Sequence, residues 1–256
     1  MALHPLLLPL LLFGALLPAV VAQEQAPTSA LSADHADPAS IRAVISDAMP
    51  GWVAAAGAYT CSTIGGGVTN HLFRCVAEPA SGSEDRPELL FRIYGAGTEM
   101  MIDRALETKT LVDLSARGSP TGLHATFANG RIERFLRGRV ITLDEMRDKK
   151  MRRRIAEGLA HLHRLDMPGD PQPSLWGSLE KVLGIVESKK MRIPGDHKLS
   201  EIRKGIRRLR SAADQTNSTV LFTHNDAQAL NMIYEVNKLP LFLPHFNPFL
   251  LHVYRF

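Results

Sequence analysis

Residues 224–231 read His224-Asn225-Asp226-Ala227-Gln228-Ala229-Leu230-Asn231 and directly follow a short hydrophobic segment at 220–222. The pattern H-x-D-x-x-x-x-N after a buried strand is the spacing of a phosphoryl-transfer catalytic loop. In that chemistry the aspartate, here Asp226, orients or deprotonates the acceptor hydroxyl, and the asparagine, here Asn231, binds magnesium. The alternative is that Asp226 is an ordinary turn or capping residue. We interpret the segment as a catalytic loop, with His224 and Asn225 as further catalytic candidates.

A glycine-rich stretch lies far upstream, between strands predicted at 59–63 and 72–76. It reads Gly65-Gly66-Gly67-Val68-Thr69-Asn70. Backbone N–H groups in such a turn can approach phosphate oxygens, because glycine has no Cβ in the way. The stretch is therefore a candidate for binding the phosphates of ATP. A plain flexible hairpin loop is the competing interpretation.

A further candidate is Arg92, which lies between Phe91 and Ile93 in a strand predicted at 89–94. A cation inside an apolar strand must find an anion or reach water. We expect Glu107, in a helix predicted at 102–114, to be that anion, so that Arg92 is oriented towards the phosphates of ATP. The alternative is an ordinary outward-facing strand residue, because strand alternation permits it.

The predicted elements come as strands first and helices afterwards. Asn129-Gly130 is a strong hairpin signal, and it joins strands at 123–127 and 131–135. Helices are predicted at 40–48, with Ser40 as its cap, and at 151–165, 178–187 and 200–209. This order predicts an α+β fold of the bilobal, protein-kinase-like kind. The predicted divisions are a signal peptide or membrane anchor at 1–22, a disordered linker at 23–38, an N-lobe of five antiparallel strands and a helix at 39–135, a partial helical C-lobe at 136–234 and an apolar tail at 235–256.

The overall charge does not call for a nucleic-acid partner. The 256 residues carry a formal net charge of only +4, and their hydrophobic share of 45% is ordinary for a globular protein. Basic residues concentrate at 147–154 and 198–210. We interpret both clusters as solvated helix faces, with an anionic membrane surface or a phosphate ligand as the alternative.

The N-terminus and the cysteines bear on the compartment. Residues 6–22 are apolar throughout and are followed by polar Gln23-Glu24-Gln25, which is typical of a secretory signal peptide. A membrane anchor is the alternative, since about 17 apolar residues are the lower limit for a spanning helix. Cys61 and Cys75 lie on either side of the glycine-rich turn. Secretion would favour a disulfide, but we slightly prefer two buried thiols.

With these residues placed, the chain resembles choline and ethanolamine kinases from about residue 40 to residue 234. Residues 98–99 and 102–104 look closer to the ethanolamine branch. The segments that carry the resemblance, besides the loop at 224–231, are Ile64-Gly65-Gly66-Gly67-Val68-Thr69-Asn70, Leu72-Phe73-Arg74-Cys75, Phe91-Arg92-Ile93-Tyr94-Gly95, Phe127-Ala128-Asn129-Gly130-Arg131-Ile132-Glu133-Arg134-Phe135, Met167-Pro168, Leu175-Trp176-Gly177 and Ile233-Tyr234.

The resemblance implies ATP-dependent and magnesium-dependent phosphorylation of ethanolamine or choline, the first step towards phosphatidylethanolamine or phosphatidylcholine. It implies that residues 65–70 and Arg92 contact ATP, that Asp226 is the base, and that Arg134 lies at the adenine-side hinge. Relatives more often carry glutamine at that hinge position, so Arg134 departs from the pattern. The resemblance also implies the cytoplasm, whereas residues 6–22 predict secretion.

The C-terminal residues depart further from the family pattern. The family carries a magnesium-binding aspartate on a strand soon after the asparagine, but residues 236–256 contain no Asp or Glu. The tail is apolar and broken by proline, which cannot donate to a sheet ladder, so we expect a poor substitute for a hairpin. We interpret the chain as truncated or as a misassembled reading frame, with little or no kinase activity as printed.

Two rival functions stay open from the sequence. An aminoglycoside-type phosphotransferase shares the H-x-D-x-x-x-x-N loop. A catalytically dead, secreted pseudokinase that only binds nucleotide would suit the apolar N-terminus and the missing aspartate. Membrane association through the N-terminal segment or the tail also stays open.

Overall fold

The computed structural model describes residues 26–65, 70–78, 86–100, 102–169, 173–216 and 218–235, together with the backbone of 241–242 and 253–254. The predicted signal peptide, four residues of the glycine-rich turn (66–69) and most of the tail lie outside the described residues. In chain order the first half contains β1 (Thr28–Ser29), α1 (Pro38–Ala48), α2 (Pro50–Ala56), β2 (Tyr59–Ile64), β3 (Asn70–Ala77), β4 (Glu88–Tyr94), α3 (Arg104–Ala116), β5 (Leu123–Phe127) and β6 (Gly130–Arg134).

These strands form a mixed sheet in the order β1-β5-β6-β4-β3-β2. All neighbours are antiparallel except β1 and β5. The hairpin between β5 and β6 requires glycine at 130, because a Cβ there would lie 2.1 Å from the carbonyl oxygen of Arg92. This close approach places β4 directly beside β6.

One face of the sheet packs against α1 to form the main core. Phe91 and Ile132 are fully buried there with Val44 of α1, and the ring of Phe91 stacks on Phe127 with centroids 4.6 Å apart. Burying each such side chain stabilises the fold by roughly 1.5–3 kcal/mol. Because strand side chains alternate, the neighbouring residues Arg92 and Arg131 point to the opposite face.

The second half is mainly helical. Its elements are β7 (Arg139–Val140), α4 (Leu143–Arg147), α5 (Lys149–His163), α6 (Ser174–Ser188), α7 (Leu199–Asp214), β8 (Val220–Leu221), β9 (Met232–Tyr234), β10 (Leu241–Phe242) and β11 (Val253–Tyr254). A small sheet of order β10-β9-β7 packs on α5. Phe222, just after β8, lies in one buried cluster with Leu114 of α3 and Met167. That cluster joins the two halves of the chain directly upstream of His224.

Most predicted strands are confirmed within two residues, and β5 matches its predicted bounds. The predicted helices exist, but α6 and α7 are longer than expected, and α2 and α4 were not predicted. The predicted cap of α1 is wrong. Asp37 rather than Ser40 caps the helix, since its side chain accepts from Ala39 N at 2.9 Å and Pro38 opens the first turn.

The predicted disordered linker is partly ordered, so the sheet has six strands rather than five. Thr28 pairs with Thr126 of β5 in parallel register. The Asn129 side chain then holds Ala33 by two hydrogen bonds, accepting from Ala33 N at 2.9 Å and donating to Ala33 O at 2.8 Å. Composition alone predicted disorder. It contains no information on these contacts, which come from β5 and the β5–β6 turn, about a hundred residues away.

The tail also differs from its prediction. Although prolines flank it, β10 pairs antiparallel with β9, with Leu241 opposite Ile233. A two-residue strand leaves the prolines outside the paired positions, so the described part of the tail pairs with β9 over two residues. Among the described residues, no helix is both long enough and apolar enough to cross a membrane.

The prediction of two free thiols is wrong as well. Cys61 of β2 and Cys75 of β3 are directly opposite each other in the register, with Cα atoms 4.1 Å apart, and they form a disulfide. The bond cross-links the two strands that lead into and out of the glycine-rich turn. Strand register therefore supplied the geometry that the sequence alone could not.

Reduction of this bond should destabilise the protein. Closing a loop of about 15 residues restricts the unfolded chain, and its loss should lower the free energy of unfolding by about 3 kcal/mol. The measurement is denaturant unfolding with and without a reductant. The double variant Cys61→Ala/Cys75→Ala is the control, and reductant should not change its midpoint. Equal midpoints for the oxidised and reduced wild-type protein would contradict the prediction.

Candidate active site

The loop at 224–231 folds so that its two ends meet. Asn231, which is 5% exposed, donates through Nδ2 to the Asp226 carboxylate oxygen Oδ2 at 2.8 Å and to the Asp226 carbonyl at 2.9 Å. Gln228 donates to the same Oδ2 at 3.3 Å. The burial of Met232 and Ile233 in β9 fixes the end of the loop. The spacing read from the sequence therefore places the predicted base and the predicted magnesium ligand in direct contact.

His224 and Asn225 shape the turn that presents Asp226. His224 is buried, and its Nδ1 accepts from Asp226 N at 3.3 Å. Asn225 has a positive φ of 53°, which asparagine tolerates better than most residues, and its side chain accepts from Thr223 Oγ1 at 2.5 Å. These hydrogen bonds stabilise the conformation of the loop around Asp226.

Two oxygens of the loop have the chemistry of a magnesium site. Mg²⁺ prefers oxygen ligands and is usually held by one or two carboxylates together with phosphate oxygens and water. Asn231 and Gln228 both donate to Oδ2 of Asp226, each through its side-chain nitrogen. Oδ1 of Asp226 and Oδ1 of Asn231 are therefore the donor atoms that fit the ion. Within the described residues, no group of three or more His, Cys, Asp or Glu side chains could hold a metal.

The glycine-rich turn is described only at its two ends, Gly65 and Asn70. Ile64 and Leu72 pair across the hairpin, and Asn70 lies opposite Tyr94 of β4. Among the described residues, no heavy atom lies within 4 Å of the position that a Cβ would take at Gly65. The remaining candidates, Gly66, Gly67, Val68 and Thr69, lie outside the described residues.

The partner predicted for Arg92 is wrong. Arg92 Nε donates to Glu133 Oε1 at 2.5 Å, whereas Glu107 of α3 pairs with Arg104 and Arg131, each at 2.8 Å. Glu133 comes from β6, the strand hydrogen-bonded to β4, and its side chain faces the same side of the sheet as Arg92. A carboxylate on the neighbouring strand is nearer than one on a helix packed above the sheet.

Glu133 also binds a second guanidinium. Arg131 Nε donates to the same oxygen, Oε1, at 2.8 Å. Arg92, Arg131 and Glu133 are 1%, 0% and 3% exposed. Sequence reasoning missed Arg131 and Glu133, although the alternation Arg131-Ile132-Glu133 in a predicted strand was a visible signal, because it places two opposite charges on one face.

The pKa values of this cluster follow from two opposed effects. Burial by itself raises the pKa of Glu133, but the charges of Arg131 and Arg92 and their hydrogen bonds outweigh it and lower that pKa from 4.5 to about 2. Burial likewise acts to lower the pKa of Arg131, while Glu133 and Glu107 raise it well above its usual range. Glu133 and Arg131 are therefore both charged at neutral pH.

Arg134 lies apart from this cluster. It is the exposed last residue of β6, and its Nη1 donates to the carbonyl of Pro120 at 3.4 Å. The structure therefore brings Arg92 together with Arg131 and Glu133 in the first half, and Asp226 together with Asn231 in the second half.

The family model and two curated relatives agree on one family. The family model described as Choline/ethanolamine kinase matches residues 61–247. A probable ethanolamine kinase from Arabidopsis thaliana is 29% identical over 194 residues, covering 73% of this chain and 51% of the relative. A probable ethanolamine kinase from Nematostella vectensis is 32% identical over 180 residues, covering 67% of this chain and 51% of the relative. The chain thus spans about half the length of the curated relatives that it matches.

A solved structure gives the same result for the fold. The structure of a Plasmodium vivax ethanolamine kinase superposes with a TM-score of 0.65 at 21% identity, covering 77% of this chain and 57% of that chain. The predicted α+β, kinase-like fold is confirmed.

The lowered pKa of Glu133 predicts how stability changes with pH. Because the folded-state pKa lies below the ordinary value, the stabilisation is complete above about pH 4.5 and is lost as the pH falls towards about 2. A shift of this size corresponds to about 3 kcal/mol. Glu133→Gln should lower the free energy of unfolding at pH 7 and flatten its dependence on pH between those limits.

The measurement is chemical denaturation at a series of pH values from 7 down to 2. The matched control is Glu88→Gln on β4, where the carboxylate contacts Arg74 and Arg137 and Glu133 is intact, so the acid-dependent loss should persist. Wild type and Glu133→Gln with parallel pH profiles would refute the assignment.

Proposed function

Because the chain belongs to the choline/ethanolamine kinase family, we propose that it binds ATP with magnesium and transfers the γ-phosphoryl group to the hydroxyl of ethanolamine or choline. The observation that carries the proposal is the contact between Asp226 and Asn231 in the loop after β8. A phosphotransferase needs a carboxylate beside the acceptor hydroxyl and a metal ligand next to it. This loop holds one of each, 2.8 Å apart.

Asp226 would accept the proton of the acceptor hydroxyl as the oxygen attacks the γ-phosphorus and the bond to the ADP oxygen breaks. Oδ2 is occupied by hydrogen bonds from Asn231 and Gln228, so Oδ1 is the atom suited to the hydroxyl or to the metal. The buried side chain of Asn231 keeps the carboxylate in one orientation. Bound magnesium would supply neutralisation of the phosphate charge.

The phosphates would lie against the sheet of the first half. Residues 65–70 would offer backbone N–H groups, and Arg92 would offer its positive charge. The buried cluster supports this proposal through its charge balance. Within the described residues, the three arginines at 92, 104 and 131 contact two glutamates, at 107 and 133, so arginines outnumber carboxylates in this group. A surplus of positive charge in a dry site favours an anionic ligand.

We further propose that turnover is slow. Residues 236–256 contain no Asp or Glu, so this segment after β9 provides no second acidic ligand for the metal. Because this acidic ligand is missing, the alternative function is a protein that binds nucleotide without turning it over. In that case ATP would bind while the acceptor alcohol stayed unmodified.

Variants at Asp226 and Arg92 should separate chemistry from binding. Asp226→Asn should lower turnover by about 10²–10⁴-fold, the usual contribution of a positioned base, and leave the Kd for ATP nearly unchanged. Arg92→Ala should weaken ATP binding as well, because its charge faces the phosphates before and during transfer. The first measurement is steady-state kinetics with varied ATP, in which the radiolabelled product is quantified. The second is direct titration with nucleotide.

Asp144→Asn is the matched control for these variants. Its carboxylate is exposed and contacts Arg147 on α4, so the change should leave both turnover and ATP affinity as they are. Full activity in Asp226→Asn would eliminate the catalytic interpretation of the loop. An equal loss of ATP affinity in the Asp226 and Arg92 variants would mean that their roles are misassigned.

A substrate panel tests the reaction class and the expected rate together. With ATP and magnesium, ethanolamine or choline should become phosphorylated at a rate at least about 100-fold below the 1 per second that is ordinary for kinases, and an aminoglycoside should not react. Phosphorylation of the aminoglycoside alone would favour the rival phosphotransferase. Turnover near 1 per second with ethanolamine would contradict the expected slow rate and leave the proposed reaction intact.

A further inference from the structure

The carboxylate of Glu133 holds two guanidinium groups through a single oxygen. Arg92 Nε lies 2.5 Å and Arg131 Nε lies 2.8 Å from Oε1. The Nε atom is the one closest to the arginine stem, so a bond to it restricts the orientation of the whole guanidinium. Glu133 therefore helps to set the direction in which the terminal nitrogens of Arg92 point.

The backbone explains why Glu133 meets both arginines. Arg92 and Arg131 are directly opposite each other in the β4–β6 register, which brings like charges close together across the strands. Glu133 is two residues along β6 from Arg131 and faces the same side. Without a carboxylate between them, two buried cations would repel each other at short range.

The helix carboxylate is committed elsewhere. Glu107 Oε2 lies 2.8 Å from Arg104 Nη1 and 2.8 Å from Arg131 Nη1. The guanidinium of Arg104 in turn lies over the ring of Tyr94, 3.9 Å from its centroid. Glu107 thus anchors α3 to Arg131, and among the described carboxylates Glu133 is the one that contacts Arg92.

We propose that Glu133 is a positioning residue for phosphate binding. It acts through Arg92, whose guanidinium it holds in the direction required to meet the phosphates, and Arg131 shares the carboxylate and keeps it in place. This inference rests on the proposed function, because it takes the phosphates of ATP as the ligand of Arg92.

Titration with ATP and with adenosine distinguishes a positioning role from a structural one. In Glu133→Gln, the Kd for ATP should rise by about tenfold, as expected when a charge-assisted hydrogen bond is lost, while adenosine, which has no phosphate, should bind as it does to wild type. Glu88→Gln is the matched control, because it also removes a carboxylate that contacts two arginines, and it should change neither affinity. In an Arg92→Ala background, Glu133→Gln should add no further loss of ATP affinity.

Equal weakening of ATP and adenosine binding, or a further loss in the Arg92→Ala background, would overturn the positioning role. If Glu133→Gln does not fold, Glu133→Asp decides the question. It keeps the charge but shortens the side chain by one carbon, so it should weaken ATP and spare adenosine, and an unchanged ratio of the two affinities would refute the inference. Failure of the wild-type protein to bind ATP would refute the proposed function instead.

Discussion

A single buried carboxylate, that of Glu133, organises the charged side of the sheet. Arginine inside a protein is tolerated only when its charge is compensated at hydrogen-bond distance. Arg92 and Arg131 meet that requirement through the same oxygen, and Arg131 extends the cluster to Glu107. Two strands and α3 are therefore tied together by charges at their common face, while apolar packing against α1 holds the other face.

In the second half of the molecule, buried residues and internal hydrogen bonds fix the conformation of a polar loop. The loop at 224–231 begins after a buried residue, Phe222, and ends in the buried strand β9. Between these anchors, its polar groups bond to each other, as Asn231 does to Asp226. Phe222 shares a cluster with Leu114 of α3. The helix that carries Glu107 thus also contacts the segment just before the loop at 224–231.

Two differences between prediction and structure share one physical cause. Residues 26–37 have a composition typical of disorder, yet they are held by Asn129 and by strand β5. The prolines of the tail argued against a hairpin, yet a two-residue strand pairs with β9. In the first case the stabilising hydrogen bonds come from a distant part of the chain, and in the second they use residues that lie between the prolines. Local composition contains no information on such contacts.

The sequence by itself determined the features that depend on short spacing. The interval from Asp226 to Asn231 predicted a loop that carries both residues, Asn129-Gly130 predicted the hairpin, and alternation predicted the strands. Only the tertiary structure decided which groups face each other across strands. It assigned Glu133 rather than Glu107 to Arg92, and it brought Cys61 opposite Cys75. The physical reason is register: it depends on the packing of the whole sheet, and a shift of one residue moves every side chain to the other face.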